Sequence, residues 1–366
     1  MSEVIEINEI EDLRAYASFW NRLHAKTPQA TFFQTLPWLE TYWKFFGQSK
    51  KLRVLLVQID CQIKGILPLI EQTERTKAGA VRILTYPLDG WGPFFGPIGS
   101  DQTATLYAAM QYLQATPRTW DLLDLRFVDP TVDRGRILNT MRCHGMSPSV
   151  LPWNPSYAIE LPGDFEQFVS TRSSKFRATI RRTLRKADDV GVTSVRYRPA
   201  ACPTGNTEPN FDLYDECVLL ARRTWQAGST TGTTISHPEA ADYFRECFAQ
   251  ASRLGMIDLM TLRHEDRMIA FSYNFHHEGR LLGMRMGYEQ DSKQLTPGTV
   301  MMSHQIRDSI KRGDKIIDLG PEHLEIKSRW INRTLESQRI CHYSRLSLSA
   351  SVLRMGHWWK YHRSAA

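Results

Sequence analysis

The second half of the chain contains a long segment in which apolar residues recur at steps of three and four. Between residues 164 and 189 these positions form one stripe, made of Phe165, Phe168, Val169, Phe176, Ile180 and Leu184. This spacing is the period of an α-helix, so the pattern predicts one long amphipathic helix over 164–189. The same periodicity predicts two further helices, over 211–226 and 238–254.

Three short apolar runs follow, each separated from the next by a polar turn. They predict three successive β-strands, over residues 256–263, 268–275 and 280–288. A helical pattern then covers 297–312 and ends at Gly313, and further short strands are predicted at 315–319 and 341–348. Strands and a helix in this order indicate an α+β domain.

The first half mixes the same two patterns. Thr35 and Pro37 open an aromatic helix that ends at Gly47, because threonine caps helices and proline favours their first turn. Elsewhere the pattern predicts four strands and two helices, the strands over residues 52–59, 63–70, 122–128 and 157–161 and the helices over 103–116 and 134–144.

A chain of 366 residues is long enough for about two domains. The boundary is expected between residues 152 and 163, which gives an N-terminal half over 1–155, a C-terminal half over 156–350, and a basic, aromatic tail over 351–366. The proline- and glycine-rich segment 199–209 is expected to be a surface loop of the second half rather than a linker.

The composition narrows the class of protein and of partner. With 42% hydrophobic and 23% charged residues, the chain is typical of a globular protein. Its net charge of +7 favours an anionic partner, such as a phosphate-bearing donor, an anionic glycan or a nucleic acid, although an ordinary basic protein is an equal alternative. The N-terminal segment is too charged for a signal peptide, no apolar run is long enough to span a membrane, and the six cysteines form no C-x-x-C pair. We therefore expect a cytoplasmic protein.

The start of the helix at 297–312 is the sharpest local signal for a ligand. Thr296 is a good N-cap residue, Pro297 favours the first helical position, and Gly298 allows a close approach. The unpaired N–H groups and the positive dipole end of such a helix form a site for an anion. The alternative is a capped helix start that binds nothing.

Several spaced motifs together resemble one enzyme family. They are the basic segment SSKFRATIRRTLRK, the helix TPGTVMMSHQIRDSIKRG, the strand IIDLG, the element EIKSRW and, in the first half, FFQTLPWLETYWKFFG. This set resembles the GNAT-superfamily acyltransferases of the CelD or BioF-like type, found with exopolysaccharide and cellulose synthesis, and more distantly the FemAB aminoacyl transferases.

The resemblance implies both a fold and an activity. The fold would be two tandem GNAT-like domains, each a mixed, mostly antiparallel sheet flanked by helices, with the acyl donor in the second half and the acceptor in a cleft facing the first. The activity would be N-acyl transfer from acyl-coenzyme A to an amine, such as an amino sugar or another polysaccharide or cell-envelope precursor.

The loop before this helix departs from the family pattern. GNAT enzymes hold the donor pyrophosphate with Q/R-x-x-G-x-G/A, and the matching residues here run from Gln294 through Thr296 and Gly298 to Thr299. Pro297 replaces the first glycine and removes one N–H donor, and Thr299 replaces the last small residue. Acetyl-coenzyme A is therefore one donor and an aminoacyl-tRNA is the alternative.

Acyl transfer to an amine needs a proton acceptor and a group that polarises the donor carbonyl. By the resemblance, Lys327 would place its charge on the developing oxyanion; the alternative is a surface lysine. Asp318, Glu322 and His323 follow the last strand of the unit and are candidates for the proton acceptor, or else polar loop residues.

Four substrate-binding candidates lie elsewhere, and a fifth, Trp330, follows Lys327. Arg177 and Arg181 share one face of the basic helix, where like charges four residues apart disfavour the helix by about 0.2–0.5 kcal/mol per pair unless an anion or solvent screens them. Asp89 and Trp91 belong to a glycine- and aromatic-rich loop that could stack on a sugar or equally be a packed turn.

Two other hypotheses for the function of the protein remain besides coenzyme A-dependent transfer. One is a FemAB-like transferase that uses aminoacyl-tRNA, and the other is a non-catalytic binding protein of the same fold in polysaccharide biosynthesis. A metal site is not expected, because the adjacent His276 and His277 point in opposite directions on a strand and have no partner at ligand spacing.

Overall fold

A computed structural model describes residues 2–88, 94–200, 208–228, 234–321, 323–345 and 347–362. The chain divides into two compact units. Unit 1 comprises Met1–Asn154 and Glu336–Ala366, and unit 2 comprises Pro155–Leu335.

Unit 1 is a single sheet with helices packed on it. Its strands are β1 (Ser2–Ile7), β2 (Lys51–Ile59), β3 (Gln62–Thr76), β4 (Gly79–Thr85), β5 (Leu122–Val128), β6 (Pro148–Pro152) and β14 (Gln338–Tyr343). Its helices are α1 (Ala17–His24), α2 (Leu36–Phe46), α3 (Gln102–Ala115), α4 (Pro130–Asp133), α5 (Arg136–Cys143) and α12 (Leu348–His362), with 3₁₀ turns at Glu11–Tyr16 and Phe32–Gln34. The seven strands lie in the order β1-β2-β3-β4-β5-β14-β6, and only β4 and β5 run parallel. The aromatic helix predicted after Thr35 is confirmed as α2, with the Thr35 side chain capping it.

The end of the chain returns to unit 1, which differs from the division expected from sequence. Residues 336–350 were assigned to the second half, but β14 lies between β5 and β6 in the first sheet. Arg339 on β14 donates to the fully buried Asp124 on β5 at 2.6 and 2.8 Å, so an ion pair joins the two strands. The expected tail is also part of this unit, because α12 packs Ala350 and Leu353 against the sheet.

Unit 2 repeats the architecture with its own sheet. Its strands are β7 (Ser156–Glu160), β8 (Thr193–Tyr197), β9 (Ile257–His264), β10 (Arg267–His277), β11 (Arg280–Tyr288), β12 (Ile316–Asp318) and β13 (Arg333–Leu335). Its helices are α6 (Phe165–Ser170), α7 (Ser174–Asp189), α8 (Phe211–Ala221), α9 (Ala241–Arg253), α10 (Pro297–Lys311) and α11 (Leu324–Lys327), with 3₁₀ turns at Trp225–Gly228 and Gln290–Leu295. The order is β13-β7-β12-β11-β10-β9-β8, with β11 and β12 parallel and all other neighbours antiparallel. The predicted α+β class, with two mixed and mostly antiparallel sheets, is confirmed.

The long helix predicted over 164–189 is wrong in one respect, because it is two helices. The chain leaves α6 after Ser170 and starts α7 at Ser174, where the Ser173 hydroxyl accepts from the Phe176 N–H. Serine at an N-cap satisfies a helix start better than it continues a helix. The guanidinium of Arg172, in the break, donates to the carbonyls of Trp330 and Ile331 at 3.2 and 2.8 Å.

The core of unit 2 lies between the sheet and the two longest helices. Apolar side chains of α7, including Ile180, pack with those of α10, including Met301 and Ile306, over Leu281 and Ile317 of the sheet. Burial of such faces is the main stabilising contribution for amphipathic helices. Among the described helices, none combines the length and the apolar character that crossing a bilayer would need.

Candidate functional site

Two parallel strands of unit 2 separate part-way along their length. β11 and β12 are paired as far as Leu282 and Asp318. There β12 ends, while β11 continues to Tyr288. In the described part of the chain, no strand pairs with this far portion of β11 on the β12 side. A β-carbon on Gly283 would lie 3.1 Å from the Asp318 carbonyl oxygen, so glycine allows the close approach where the strands part. Residues 283–288 thus form a free strand edge.

The free edge begins at an irregularity in the ladder. Asn274 pairs with Gly283 and Tyr273 pairs with Arg285, so Met284 is an extra residue in β11. A bulge of this kind leaves the extra residue outside the regular pairing and turns the strand. It therefore presents backbone groups at the point where β11 and β12 separate. A glycine inside a strand, here Gly283, is the sequence signal from which this bulge could have been predicted.

The far end of the free edge meets the start of α10. A β-carbon on Gly298 would have no closer neighbour than the Tyr288 ring at 3.9 Å, so the space beside it is open. The N–H groups of Thr299 and Val300 both turn back to the Thr296 carbonyl, at 2.9 and 3.3 Å. The Gly298 N–H donates to no acceptor in the ranges that the structure describes. The helix start thus retains one donor directed away from its own turn.

Thr296 occupies the N-cap position, but its side chain does not cap the helix. Its backbone has a φ of 46°, which is left-handed, whereas a capping threonine needs an extended backbone. Its hydroxyl instead donates to the Thr183 hydroxyl on α7 at 3.2 Å. The side chain therefore joins the loop to the basic helix, which is a different role from the one predicted.

The basic helix α7 places positive charge beside this loop. The ammonium group of Lys186 donates to the carbonyl of Gln294 at 2.8 Å, and Arg182 lies one turn earlier on the same side of the helix. The two arginines predicted to bind substrate are engaged elsewhere. Arg177 donates to the carbonyl of Arg172 at 2.7 Å, and the exposed Arg181 contacts Glu166 at 3.3 Å.

Lys327 is the last residue of α11, and its side chain reaches back to the turn that follows β12. Its ammonium group donates to the carbonyls of Gly320 and Pro321, at 2.9 and 2.7 Å. Gly320 has a φ of 76°, a conformation that glycine adopts without strain, and this turn brings the two carbonyls to the same ammonium. The half-buried Lys327 therefore has a fixed position and is not a freely solvated surface lysine.

Asp318 holds the end of β12 in place. It has no exposed surface, and its carboxylate accepts from the Ser156 hydroxyl, from the Gly320 N–H at 2.9 Å and from Arg280 at 3.4 Å. A carboxylate satisfied on several sides and shielded from solvent is suited to positioning the strand end. Asp318, predicted as a candidate proton acceptor, thus already accepts hydrogen bonds from three groups at the end of β12.

The remaining predicted residues are dispersed. His323 is exposed, in a left-handed conformation, with its Nδ1 3.8 Å from Glu325. Trp330, expected to contact substrate, is only 8% exposed; its ring stacks on Phe168 and meets Phe176 edge-on, so it is a core residue. Glu322, Asp89 and Trp91 lie outside the described residues.

Sequence reasoning missed a buried glutamine beside the free edge. The Gln226 side-chain amide donates to the Met286 carbonyl at 3.4 Å, and Gln226 is 1% exposed. Its Oε1 atom is buried and has no hydrogen-bond partner within the described part of the molecule. A glutamine in a helical pattern carries no sequence signal for such a position.

His276 belongs to a buried ionic network at the opposite end of α10. Asp258 and Asp314 have almost no exposed surface, and between them lie the guanidinium groups of Arg196 and Arg198. The His276 ring donates from Nε2 to the Asp314 carboxylate at 3.1 Å. Within the described chain, no three His, Cys, Asp or Glu side chains group in a way that could hold a metal ion.

A comparison with protein-family models gives a match to the segment that contains the free edge. Residues 174–328 match the family model described as an acetyltransferase (GNAT) domain. This segment is a GNAT-type domain. It runs from α7 to the turn after Lys327 and includes β11, α10 and β12, so the strand separation lies within it. Domains of this class are transferases, and the coarse activity that follows is acyl transfer.

The fold of the whole chain is shared with solved structures. The chain is similar to FemX, with 10% identity, a TM-score of 0.58 and coverage of 97% of this chain and 100% of that one. It is also similar to the C-terminal domain (DUF2156) of a protein assigned as a lysylphosphatidylglycerol synthetase from Agrobacterium fabrum, with 12% identity, a TM-score of 0.56, and 95% and 96% coverage. L-PGS from Bacillus licheniformis gives 11% identity, a TM-score of 0.53, and 92% and 94% coverage.

At these identities the likeness concerns the fold. No curated protein is significantly similar to this chain in sequence. The comparisons therefore establish a GNAT-type domain and a two-unit FemX-like fold, and the substrates have to be inferred from the site.

Proposed function

We propose that the protein is an N-acyltransferase that takes its acyl group from acyl-coenzyme A, bound by unit 2. The observation that carries the proposal is the free edge of β11, residues 283–288, which leads from the strand separation to the start of α10. An extended ligand with amide groups pairs with an open strand edge as a further strand does. The arm of coenzyme A is such a chain, with two amides between the thiol and the phosphates.

The helix start suits the phosphate end of this donor. The Gly298 N–H and the positive end of the α10 dipole favour an anion there, and Lys186 adds a positive charge next to the same loop. Pro297 lacks an N–H, so this site offers fewer backbone donors than the usual GNAT loop. The neighbouring charge on α7 supports phosphate binding in spite of that loss.

The acyl group would then lie at the strand separation, close to the bulge at Met284. Lys327 is held at this end of β12 by two backbone carbonyls, so its charge is already positioned before substrate binds. A positioned cation stabilises the negative charge that develops on the carbonyl oxygen as the amine attacks. Glu322 and His323 follow the same turn and remain our candidates for accepting the proton of the amine.

The acceptor is proposed to be an amino sugar or another polysaccharide or cell-envelope precursor. This part rests on the resemblance of the spaced motifs to acyltransferases found with exopolysaccharide synthesis. Gln226 supports an amine acceptor, because a buried amide oxygen without a partner beside the free edge can accept an N–H.

The donor is tested by isothermal titration of the full chain with acetyl-coenzyme A. We expect saturable binding that free coenzyme A competes for. Gly298→Asp should weaken it by tenfold or more, because the carboxylate repels phosphates, yet it suits a helix start and should leave the fold stable. Thr103→Asp makes the same change in the first turn of α3 and is the matched control. Absence of binding by the unaltered protein, with no competition by coenzyme A, would refute the donor assignment.

A second candidate is transfer of an amino acid from aminoacyl-tRNA. It is supported by the exposed Arg182 and Arg185 of α7, which form no ion pair in the described part of the chain. Gel-shift with charged tRNA across a salt series discriminates, because phosphate contacts weaken steeply with salt. Tight, salt-sensitive tRNA binding without acetyl-coenzyme A binding would favour it.

A further inference from the structure

Helix α12 of unit 1 has two apolar faces, one packed on the sheet and one largely exposed. Its inner face places Ala350 and Leu353 on the sheet, and His357 contacts the Tyr343 hydroxyl. These positions are three and four residues apart, so they share one side of the helix. This side accounts for the attachment of α12 to unit 1.

The opposite face carries a stripe of large apolar side chains that are open to solvent. The outer stripe consists of Leu348, Val352, Met355, Trp358 and Trp359, which are 87%, 49%, 56%, 57% and 53% exposed. With 3.6 residues per turn, all but Trp358 fall within an arc of about 60°, centred opposite the inner face, and Trp358 flanks that arc. Isolated exposed apolar residues need no explanation, but a continuous stripe over a whole helix indicates an interaction surface.

The sequence segment that carries the outer stripe is basic. From residue 337 to residue 366 the sequence contains no Asp or Glu. Arg354 is exposed on the flank of α12, and the exposed Arg345 and Arg118 lie near its start, where Arg118 contacts Ser344. We call Arg118, Arg345 and Arg354 the basic rim. An apolar stripe bordered by cations is complementary to a surface with anionic groups at its boundary and apolar material beneath them.

We propose that the outer stripe and the basic rim of α12 bind the surface of an anionic lipid bilayer, with the helix lying in the interface. Tryptophan is enriched at membrane interfaces, because its ring is apolar and its N–H is polar. Arginines at the edge would meet the lipid phosphates. Interfacial helices with these features lie on a membrane without crossing it.

A second copy of the chain fits the same face less well. A symmetric pair would bring the stripe against itself and also place the two basic rims close together. Like charges across an interface oppose association, and no acidic residue of this segment could offset them. The charge distribution therefore favours lipid over self-association.

The test uses the full chain and its co-sedimentation with lipid vesicles. We expect binding to mixed phosphatidylcholine and phosphatidylglycerol vesicles, weaker binding at high salt, and little binding to pure phosphatidylcholine. The double variant Trp358→Ala, Trp359→Ala should lower the partition coefficient by about tenfold or more. Arg354→Glu should lower it by about tenfold for anionic vesicles only.

Leu219→Ala is the matched control, since Leu219 is an apolar side chain of α8 that is 51% exposed. It should bind vesicles as the unaltered chain does, and thermal unfolding should be the same for all variants because the changed side chains are exposed. No binding to anionic vesicles, equal binding to neutral ones, or binding that survives the double tryptophan variant would each overturn the proposal. So would sedimentation showing a dimer that the same variant dissociates, without lipid binding.

Discussion

The buried ionic network of unit 2 allows a quantitative prediction for Asp314. Its carboxylate accepts two hydrogen bonds from the Arg198 guanidinium, at 2.7 and 3.0 Å, and one from His276 at 3.1 Å, with 2% of its side chain exposed. Asp314→Asn keeps the shape and one acceptor but removes the charge. Removing one partner of a buried pair typically destabilises by about 3–5 kcal/mol, and here Asp258 still pairs with Arg198 at 2.6 Å, which favours the lower end of that range. Because asparagine still accepts from Arg198, we expect about 3 kcal/mol.

The pH dependence of unfolding provides a second readout of the same contact. Burial by itself raises the pKa of Asp314, but the hydrogen bonds and charges of His276 and Arg198 outweigh it and hold that pKa well below its usual range. A carboxyl whose pKa is lower in the folded state contributes stability above its unfolded pKa of about 3.9. That contribution is lost as the pH falls from about 4, so the difference between the two proteins should shrink on acidification.

The assay is urea unfolding at several pH values. Hydrogen exchange of the amides of β9 and β10 is the readout, so that unit 2 is observed separately from unit 1. Asp215→Asn is the matched control, because Asp215 is 51% exposed and pairs with Arg245 on the surface, where a pair contributes about 0–1 kcal/mol. A loss for Asp314→Asn no larger than the control, or a difference that stays constant from pH 7 to about 3, would refute the reasoning.

Three further predictions follow from the site and the core. Lys327→Ala should lower kcat/KM by about 10²–10³, measured as thiol release from acetyl-coenzyme A with a panel of amino sugars. Lys327→Arg should retain part of the rate. Equal rates for the two variants and the unaltered protein would contradict a catalytic Lys327. Trp330→Ala should destabilise unit 2 by about 3–5 kcal/mol in urea unfolding, as expected for a core residue. Gly287→Ala should destabilise by about 1–3 kcal/mol in the same assay, since its β-carbon would lie 2.5 Å from the Phe271 ring and 2.9 Å from Gln226.

Periodicity predicted which helices and strands occur in unit 2 better than it predicted where they begin and end. The meander of β9, β10 and β11 and the helix α10 follow from alternating and helical patterns, which reflect burial on one face. The break between α6 and α7 was missed, because the apolar stripe continues in register across Ser173 while the backbone does not. A capping serine was visible there, but pattern alone does not distinguish a cap from a solvent-exposed helical position.

Long-range pairing is the part of the fold that local patterns could not predict. By pattern, β14 is one more strand after β12, yet it inserts between β5 and β6. There Arg339 forms a buried pair with Asp124, more than two hundred residues away in sequence. Local periodicity contains no information on which sheet a strand joins. The same limit applies to Trp330, whose neighbours Phe168 and Phe176 are distant in sequence.

The proposed donor site was only partly predictable because backbone atoms form most of it. The sequence predicts side chains able to carry charge or protons. Of these, the Lys327 ammonium contacts the turn after β12, and the Asp318 carboxylate is buried at the end of that strand. The features that support this proposal are the edge of β11 that no described strand covers, the bulge at Met284 and the N–H of Gly298. Backbone N–H groups can bind any ligand of suitable length and charge. They therefore explain how a class of acyl donor would bind, but not which acceptor is selected. Specificity for the acceptor must then come from side chains beside the edge, and Gln226 is the described residue whose unpartnered amide oxygen best fits that role.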